Sequence, residues 1–507
     1  MKLLLSTIKT ENPATQLALR YLYGIVVDSP LETTMKSYDN LDLDTAIYED
    51  IVRGQYNIVY FHCDEYNEDR IMGIIEMIKK ATPSVVALIG GMHVSFDTKQ
   101  LMIDNPCVDF IIRGEGETVL FNYLKTMITF DYGFDSIAGL TYRENGEIMV
   151  NPLDAVLDME QLPFPYEKTE MEDSKVVYYE TIRGTADRSA YVQRMPDARV
   201  RSLPLNRICT ELRYFLVKGV EKVVILDKYF NYNTERSYRI LEYIINNDNG
   251  LITFELNMDG DNLDEETIRL LAEAREGLFV FNVDIASTNA ETLATIGRSE
   301  NVYQMMYNVT KLLQNKNIKC QISVMAGLPL ETEELFARSF NKAYGLGEGT
   351  TLSVDILKLP RGSALRKEAG KFGYIYRNHA PFEILGNAFM PASSLINIRA
   401  IARLTSIYVN DEFNSSIAKI LTDTGLKPYE MFSVFSEFLF NNKLDGKLVK
   451  KENQFRVLYK FASTLYEDFD DPLKLQIFKE VLHGDLEKTI PPDAVKKFER
   501  KGWEIEA

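Results

Sequence analysis

The chain has 507 residues, too many for a single hydrophobic core, and its hydrophobic fraction of 46% is that of an ordinary globular protein. Its 57 Lys and Arg against 74 Asp and Glu give a formal net charge of -17, which argues against nucleic acid and anionic membranes as partners, since both select a basic footprint. No run approaches a membrane span and the opening segment Met1–Gln16 is too weakly apolar for a signal peptide, so a cytoplasmic location is expected.

The first 150 residues alternate short β-rich runs with amphipathic helical ones. Strands are predicted at Lys2–Leu5, Ile58–Phe61, Val85–Ile89 and Phe110–Ile112, and helices at Ala14–Tyr23, Asp44–Val52, Glu68–Lys80 and Thr98–Asp104. Such alternation builds a parallel sheet with helices on both faces. Gly90-Gly91 follows one strand and Arg113-Gly114-Glu115-Gly116-Glu117 the next, both at strand carboxyl ends where open α/β sheets bind ligands. A hairpin (Ile137–Tyr142, Glu147–Val150) closes this domain at about residue 150. A proline-stiffened linker, Leu162-Pro163-Phe164-Pro165, lies within 151–172.

Over 173–375 the rhythm restarts with longer helices. Strands are predicted at Val176–Thr181, Lys222–Leu226, Ile252–Met258, Leu278–Ile285, Lys319–Met325 and Leu352–Leu357, the content of a partial (β/α)6 barrel with its chemistry at the strand carboxyl ends. From 376 to 507 the pattern is helical, as in Ser394–Tyr408, Pro428–Phe440 and Glu452–Tyr466.

The cysteines are Cys63, Cys107, Cys209 and Cys320, with no C-x-x-C spacing. Neither a local zinc site nor a local cluster site is encoded, and buried or half-buried thiols are expected. No metal ligands are assigned. P-loop, H-E-x-x-H and G-x-S-x-G motifs are absent from the sequence.

After the first barrel strand the chain reads Arg183-Gly184-Thr185-Ala186-Asp187-Arg188-Ser189-Ala190-Tyr191-Val192. This segment resembles the cluster loop of radical S-adenosylmethionine (SAM) enzymes that carry an N-terminal cobalamin-binding domain. Further segments match that family in order: the two glycine turns, the Leu162–Pro165 linker, Asp227 with Phe230-Asn231, Ser287–Leu293, Ala326–Pro329 and Leu357–Ser363. The resemblance spans at least residues 1–380 and implies a doubly wound, Rossmann-like cobalamin domain, a radical SAM-type barrel and a helical C-terminal domain.

In the family the loop carries three cysteines that hold a four-iron cluster; the corresponding positions here are Thr185, Ser189 and Val192. Neutral hydroxyls and an alkyl group do not replace thiolates, so an iron–sulfur cluster is not expected and radical chemistry in this chain is not implied. Positions that help hold SAM in relatives are Asn257, Asn282, Asp284 and Ser323 here, which makes SAM binding doubtful. Cobalamin binding is the more intact half: the resemblance places Phe61, His62, Cys63, Gly90, Gly91, His93, Gly114, Glu115, Gly116 and Glu117 around it, without a D-x-H-x-x-G signature for histidine ligation. Asp187, Arg188, Arg194 and Arg199 could grip an anion, but solvated loop charges are the preferred reading.

Three functions stay open. One is a non-catalytic cobalamin- or substrate-binding accessory subunit, partnering an intact paralogue or a peptide or small molecule. Another is an enzyme of altered chemistry, such as methyl transfer with SAM or cobalamin but no cluster. The third is a structural interaction protein using the helical tail.

Overall fold

A computed structural model of the chain describes all residues except 132, 154–155, 170, 172–174, 186–188, 299–300, 348, 410–411, 468–471 and 506–507. The chain divides into two compact units. The first comprises residues 1–257, 358–370 and 376–383, and the second 258–357, 371–375 and 384–507.

The first unit opens with β1 (Lys2–Ile8), α1 (Ala14–Val26), β2 (Glu32–Tyr38), α2 (Asp44–Gly54), β3 (Ile58–His62), α3 (Glu68–Ala81), β4 (Val86–Gly90), α4 (Thr98–Asp104), β5 (Phe110–Ile112), α5 (Glu117–Thr129), β6 (Leu140–Glu144) and β7 (Glu147–Val150). The strands form one sheet in the order β2-β1-β3-β4-β5-β6-β7. The first five pair in parallel and the hairpin is antiparallel. Central strands are apolar on both sides: Leu3, Leu5, Tyr60 and Leu88 feed one core, and Leu4, Val59, Phe61 and Ile89 the other. Helix α3 begins with Glu68 and Asp69 and ends with Lys79 and Lys80, charges matched to its dipole.

Strand β2 and helix α5 were not among the predicted elements. β2 is an edge strand of sequence ETTMKSY whose residues are mostly half-buried, so it lacks the apolar alternation that marks a strand.

The first unit continues with β8 (Val176–Tyr179), β9 (Ile182–Arg183), β10 (Arg201–Ser202), α6 (Leu205–Lys218), β11 (Lys222–Ile225), α7 (Thr234–Asn246) and β12 (Thr253–Asn257). Strands β8, β11 and β12 are parallel neighbours. The strand predicted at Val176–Thr181 stops at Tyr179, because Ile182-Arg183 turns away to pair antiparallel with Arg201-Ser202. The linker is packed on this unit: Phe164 meets Tyr214 edge-on at 5.2 Å, and Tyr166 donates to the Tyr178 carbonyl at 2.6 Å.

The second unit holds α8 (Glu265–Leu271), β13 (Phe279–Ala286), α9 (Ala290–Thr295), α10 (Val302–Leu313), β14 (Lys319–Ala326), α11 (Glu333–Tyr344) and β15 (Thr350–Ile356), with β13, β14 and β15 parallel neighbours. All six predicted barrel strands therefore form, three in each unit. Helices α7 to α11 start on side-chain caps: Asn233, Asp264, Asn289, Asn301 and Thr332 each accept a first-turn backbone N–H.

The short α12 (Ala364–Lys367) belongs to the first unit, and the short strands β16 (Ile375–Tyr376) and β17 (Ile384–Gly386) follow. The helical tail comprises α13 (Ala392–Tyr408), α14 (Asn414–Thr424), α15 (Pro428–Asn442), α16 (Lys451–Glu467), α17 (Pro472–Thr489) and α18 (Pro492–Lys501). Aromatic side chains knit it, with Phe435 stacked on Phe461 at 4.2 Å and Phe413 tilted against Phe455 at 4.5 Å. No helix of the described residues is long and apolar enough to cross a membrane.

Candidate functional site

The carboxyl ends of β3 and β4 bring together Phe61, His62, Cys63, Gly90, Gly91 and His93. Cys63 donates its backbone N–H to the Gly90 carbonyl at 2.7 Å, and a side chain at Gly91 would meet the Cys63 carbonyl oxygen at 2.4 Å. Glycine is needed there because two backbones touch. Phe61 and Cys63 are fully buried, and burial raises the Cys63 thiol, which keeps it protonated.

The two imidazoles are engaged. His62 Nδ1 lies 3.1 Å from the Tyr60 hydroxyl, and burial pushes this ring down to about 4. His93 is buried, with Nε2 2.7 Å from Glu68 and its ring stacked on Phe382 at 5.7 Å. Glu68 also receives Arg361 Nη1 on both oxygens, at 2.8 and 2.9 Å. Burial alone would raise its carboxyl, but the bonds from His93 and Arg361 bring it below its ordinary value.

The turn after β5 lines a cavity of about 470 Å³. Gly114, Gly116 and the first turn of α5 line it together with Gly184, Thr185, Val192 and Met195, and Leu153 and Val156 add apolar surface. Glu115 and Glu117 belong to an ion cluster. Arg183 reaches Glu117 Oε1 and Glu180 Oε1 at 2.7 Å each, and Glu115 Oε2 at 3.5 Å. Arg201 Nη1 donates to Glu115 at 3.1 Å. Burial raises the Glu117 carboxyl against the pull of Arg183. Burial opposes the charge on Arg183, yet Glu117 and Glu180 outweigh it and hold this guanidinium well above its ordinary value. Arg183, Arg201 and Glu180 were missed as site residues; only the Arg183-Gly184 pair at a strand end could have pointed to one of them.

Thr185, Ser189 and Val192 lie on the loop that follows β9. Thr185 and Val192 line the cavity, and Ser189 is buried with its carbonyl accepting from the Val192 N–H at 3.1 Å. Thr185 N–H donates to the Ala198 carbonyl at 3.1 Å, so the returning segment closes directly over the loop. Neutral hydroxyls and an alkyl group do not fit a cluster, whose irons require thiolates or comparably soft anions. Cys209 sits on α6, where burial raises its thiol, and no group of three His, Cys, Asp or Glu side chains among the described residues could hold a metal ion. Asp187 and Arg188 lie outside the described residues. Arg199 is paired with Asp197 at 2.7 Å, while Arg194 is exposed at the cavity mouth.

A corrinoid fits the lining in kind, since backbone and apolar groups dominate it and no imidazole lines this cavity. The residues available to hold it are Gly114, Gly116, Val119 and Met195.

The positions matched to SAM binding are committed within the protein. In the first unit Asn257 donates to the Asp227 carbonyl at 3.0 Å. Asp227 is buried and accepts the Thr181 and Ile182 N–H groups at 2.6 and 3.0 Å, capping the end of β8. In the second unit Asp284 Oδ2 accepts from Arg298 at 2.8 Å and Oδ1 from Ser323 at 3.2 Å, while the Asn282 carbonyl takes the Met258 N–H at 2.8 Å. Arg298, whose side chain is 3% exposed, was also missed.

Comparison with known proteins adds a family context. The B12 binding domain family matches residues 5–123, the radical SAM superfamily residues 189–343, and a protein family of unknown function (DUF4080) residues 370–504. An uncharacterized methyltransferase of Pyrococcus horikoshii is 25% identical over 52% of this chain and 58% of its own length. The cobalamin-dependent radical SAM methyltransferase TokK of Streptomyces tokunonensis is 24% identical over 57% of this chain and 44% of its own. The matches thus span about half the length of these relatives. The solved structure of the cobalamin-dependent S-adenosylmethionine radical enzyme OxsB, with aqua-cobalamin and S-adenosylmethionine bound, covers 100% of this chain and 85% of its own at a TM-score of 0.63 and 13% identity, a likeness of fold.

Proposed function

Because this chain belongs to the cobalamin-binding radical SAM family, we propose that it is a cluster-free member that binds cobalamin and serves as an accessory subunit rather than as a radical enzyme. The observation that carries this reading is the loop of Thr185, Ser189 and Val192, which presents no thiolate to the cavity it lines. Cobalamin, when bound, supplies one-carbon transfer chemistry. The chain's own contribution is the glycine and apolar lining around Gly114, Gly116 and Met195, which offers close backbone and apolar contact, and the ion cluster of Glu115, Glu117, Arg183 and Arg201 that anchors the turn. The partner that fits is an intact paralogue carrying the three cysteines.

The test is anaerobic reconstitution of the purified chain with iron, sulfide and hydroxocobalamin, followed by iron and cobalt determination. Cobalt near one per chain without iron is expected; iron at cluster stoichiometry overturns the reading. Co-purification with an intact paralogue tests the accessory role.

A second reading, cluster-independent methyl transfer, is supported by the methyltransferase names of two relatives. It predicts that SAM binding is measurable by calorimetry, whereas the committed pairs Asp284–Arg298 and Asn257–Asp227 predict none.

A further inference from the structure

Beside the cavity of the Gly114 turn lies a second one, of about 380 Å³, within the first unit. Four cationic side chains line it, Arg113, Arg194, Arg366 and Lys367, against one carboxylate, Asp97. In a chain of net charge -17 this is a local excess of positive charge.

None of the four cations is neutralised by a carboxylate in the contacts that hold it. Arg113 is half-buried and donates only to the carbonyls of Asn151, at 2.8 Å, and Ser95, at 3.5 Å. Arg366 donates to the Leu359 carbonyl at 2.7 Å and lies over the rings of Phe382 and Tyr376, at 4.3 and 5.3 Å. Arg194 and Lys367 make no hydrogen bond or ion pair with any described residue, and Asp97 is exposed and pairs with none of the four. Bringing four like charges around one small cavity costs free energy unless an anion joins them.

Two guanidiniums anchored through backbone carbonyls and stacked rings keep donors in fixed planes, the arrangement that matches tetrahedral oxyanions. Four cations exceed what one carboxylate neutralises. The neighbouring cavity of about 470 Å³ shares Arg113, Leu153, Arg194, Met195 and Pro196 as walls and offers apolar surface for an organic body. We propose that the cavity bounded by Arg113, Arg194, Arg366 and Lys367 binds the phosphate or diphosphate group of a small organic ligand. The ligand's organic body would compete with cobalamin for the apolar cavity, whereas pyrophosphate alone needs only the cationic one.

The experiment is calorimetric titration of the full chain with pyrophosphate at low ionic strength. The variants are Arg194→Gln/Lys367→Gln, both exposed, and the control Lys80→Gln/Lys125→Gln, which removes two exposed charges elsewhere in the unit. Expected are saturable binding to the native chain, at least tenfold weaker binding in the first variant, and an unchanged constant in the control. Absence of binding to the native chain, or equal weakening in both variants, overturns the proposal. Displacement of pyrophosphate by stoichiometric hydroxocobalamin would also overturn it, since the cations would then serve that cofactor's own phosphodiester; cobalt loading is read separately.

Discussion

The Arg183 guanidinium meets the Glu117 carboxylate at 2.7 Å with both side chains nearly out of solvent, 12% and 3% exposed. One residue opens the loop of Thr185, Ser189 and Val192; the other begins the helix after the Gly114–Gly116 turn. The ion pair thus joins two chain segments that both line the cavity, with Tyr21 4.7 Å from the guanidinium. Replacing Arg183 by Met leaves the carboxylates of Glu117 and Glu180 buried without their main partner. A loss of about 3–5 kcal/mol in urea unfolding is expected, and Arg183→Met/Glu117→Leu recovers part of it.

The same loop depends on Gly184, where φ is +84° and an added Cβ would stand 2.0 Å from the Arg199 carbonyl oxygen. Gly184→Ala combines left-handed backbone with a backbone collision. It is expected to cost roughly 2 kcal/mol or more in thermal unfolding, and to speed proteolysis after Arg199 and Arg201 as the β9–β10 pair opens.

In the second unit Glu331 is fully buried; Ser287 donates to Oε1 at 2.5 Å, and Oε2 has no partner among the described residues. Burial pushes its carboxyl up to about 8, only partly offset by Ser287. The folded state therefore holds a proton that the unfolded chain releases near pH 4.5. The associated stability is complete below that pH and is lost as pH rises to about 8, by up to about 1.4 kcal/mol per pH unit. Urea midpoints across pH 5–8 should fall in the native chain and flatten in Glu331→Gln.

His93 is committed through Nε2 to Glu68 and by stacking to Phe382. His93→Gln should lower stability by roughly 1–2 kcal/mol through the lost bond to a charged group, yet leave cobalt per chain after reconstitution unchanged. A fall in cobalt content would make the imidazole a ligand.

Much of the architecture was legible in the residues. Alternating apolar runs marked β1, β3, β4 and the six barrel strands because strands buried on both faces need continuous apolar sequence. Edge strand β2 escaped because its exposed side imposes no such pattern. The glycine turns at Gly90-Gly91 and Gly114–Gly116 were legible because close backbone approach admits only the smallest residue.

The sequence by itself determined the strand–helix alternation and the absence of thiolates at Thr185, Ser189 and Val192, since both depend on residue identity and local spacing. Only the tertiary structure decided what the charges do. Glu115 and Glu117 line the cavity and pair there with Arg201 and Arg183, and Asp284 meets Arg298. The choice of partner for a buried charge is set by distance in space and by desolvation, and neither is written in the order of residues along the chain.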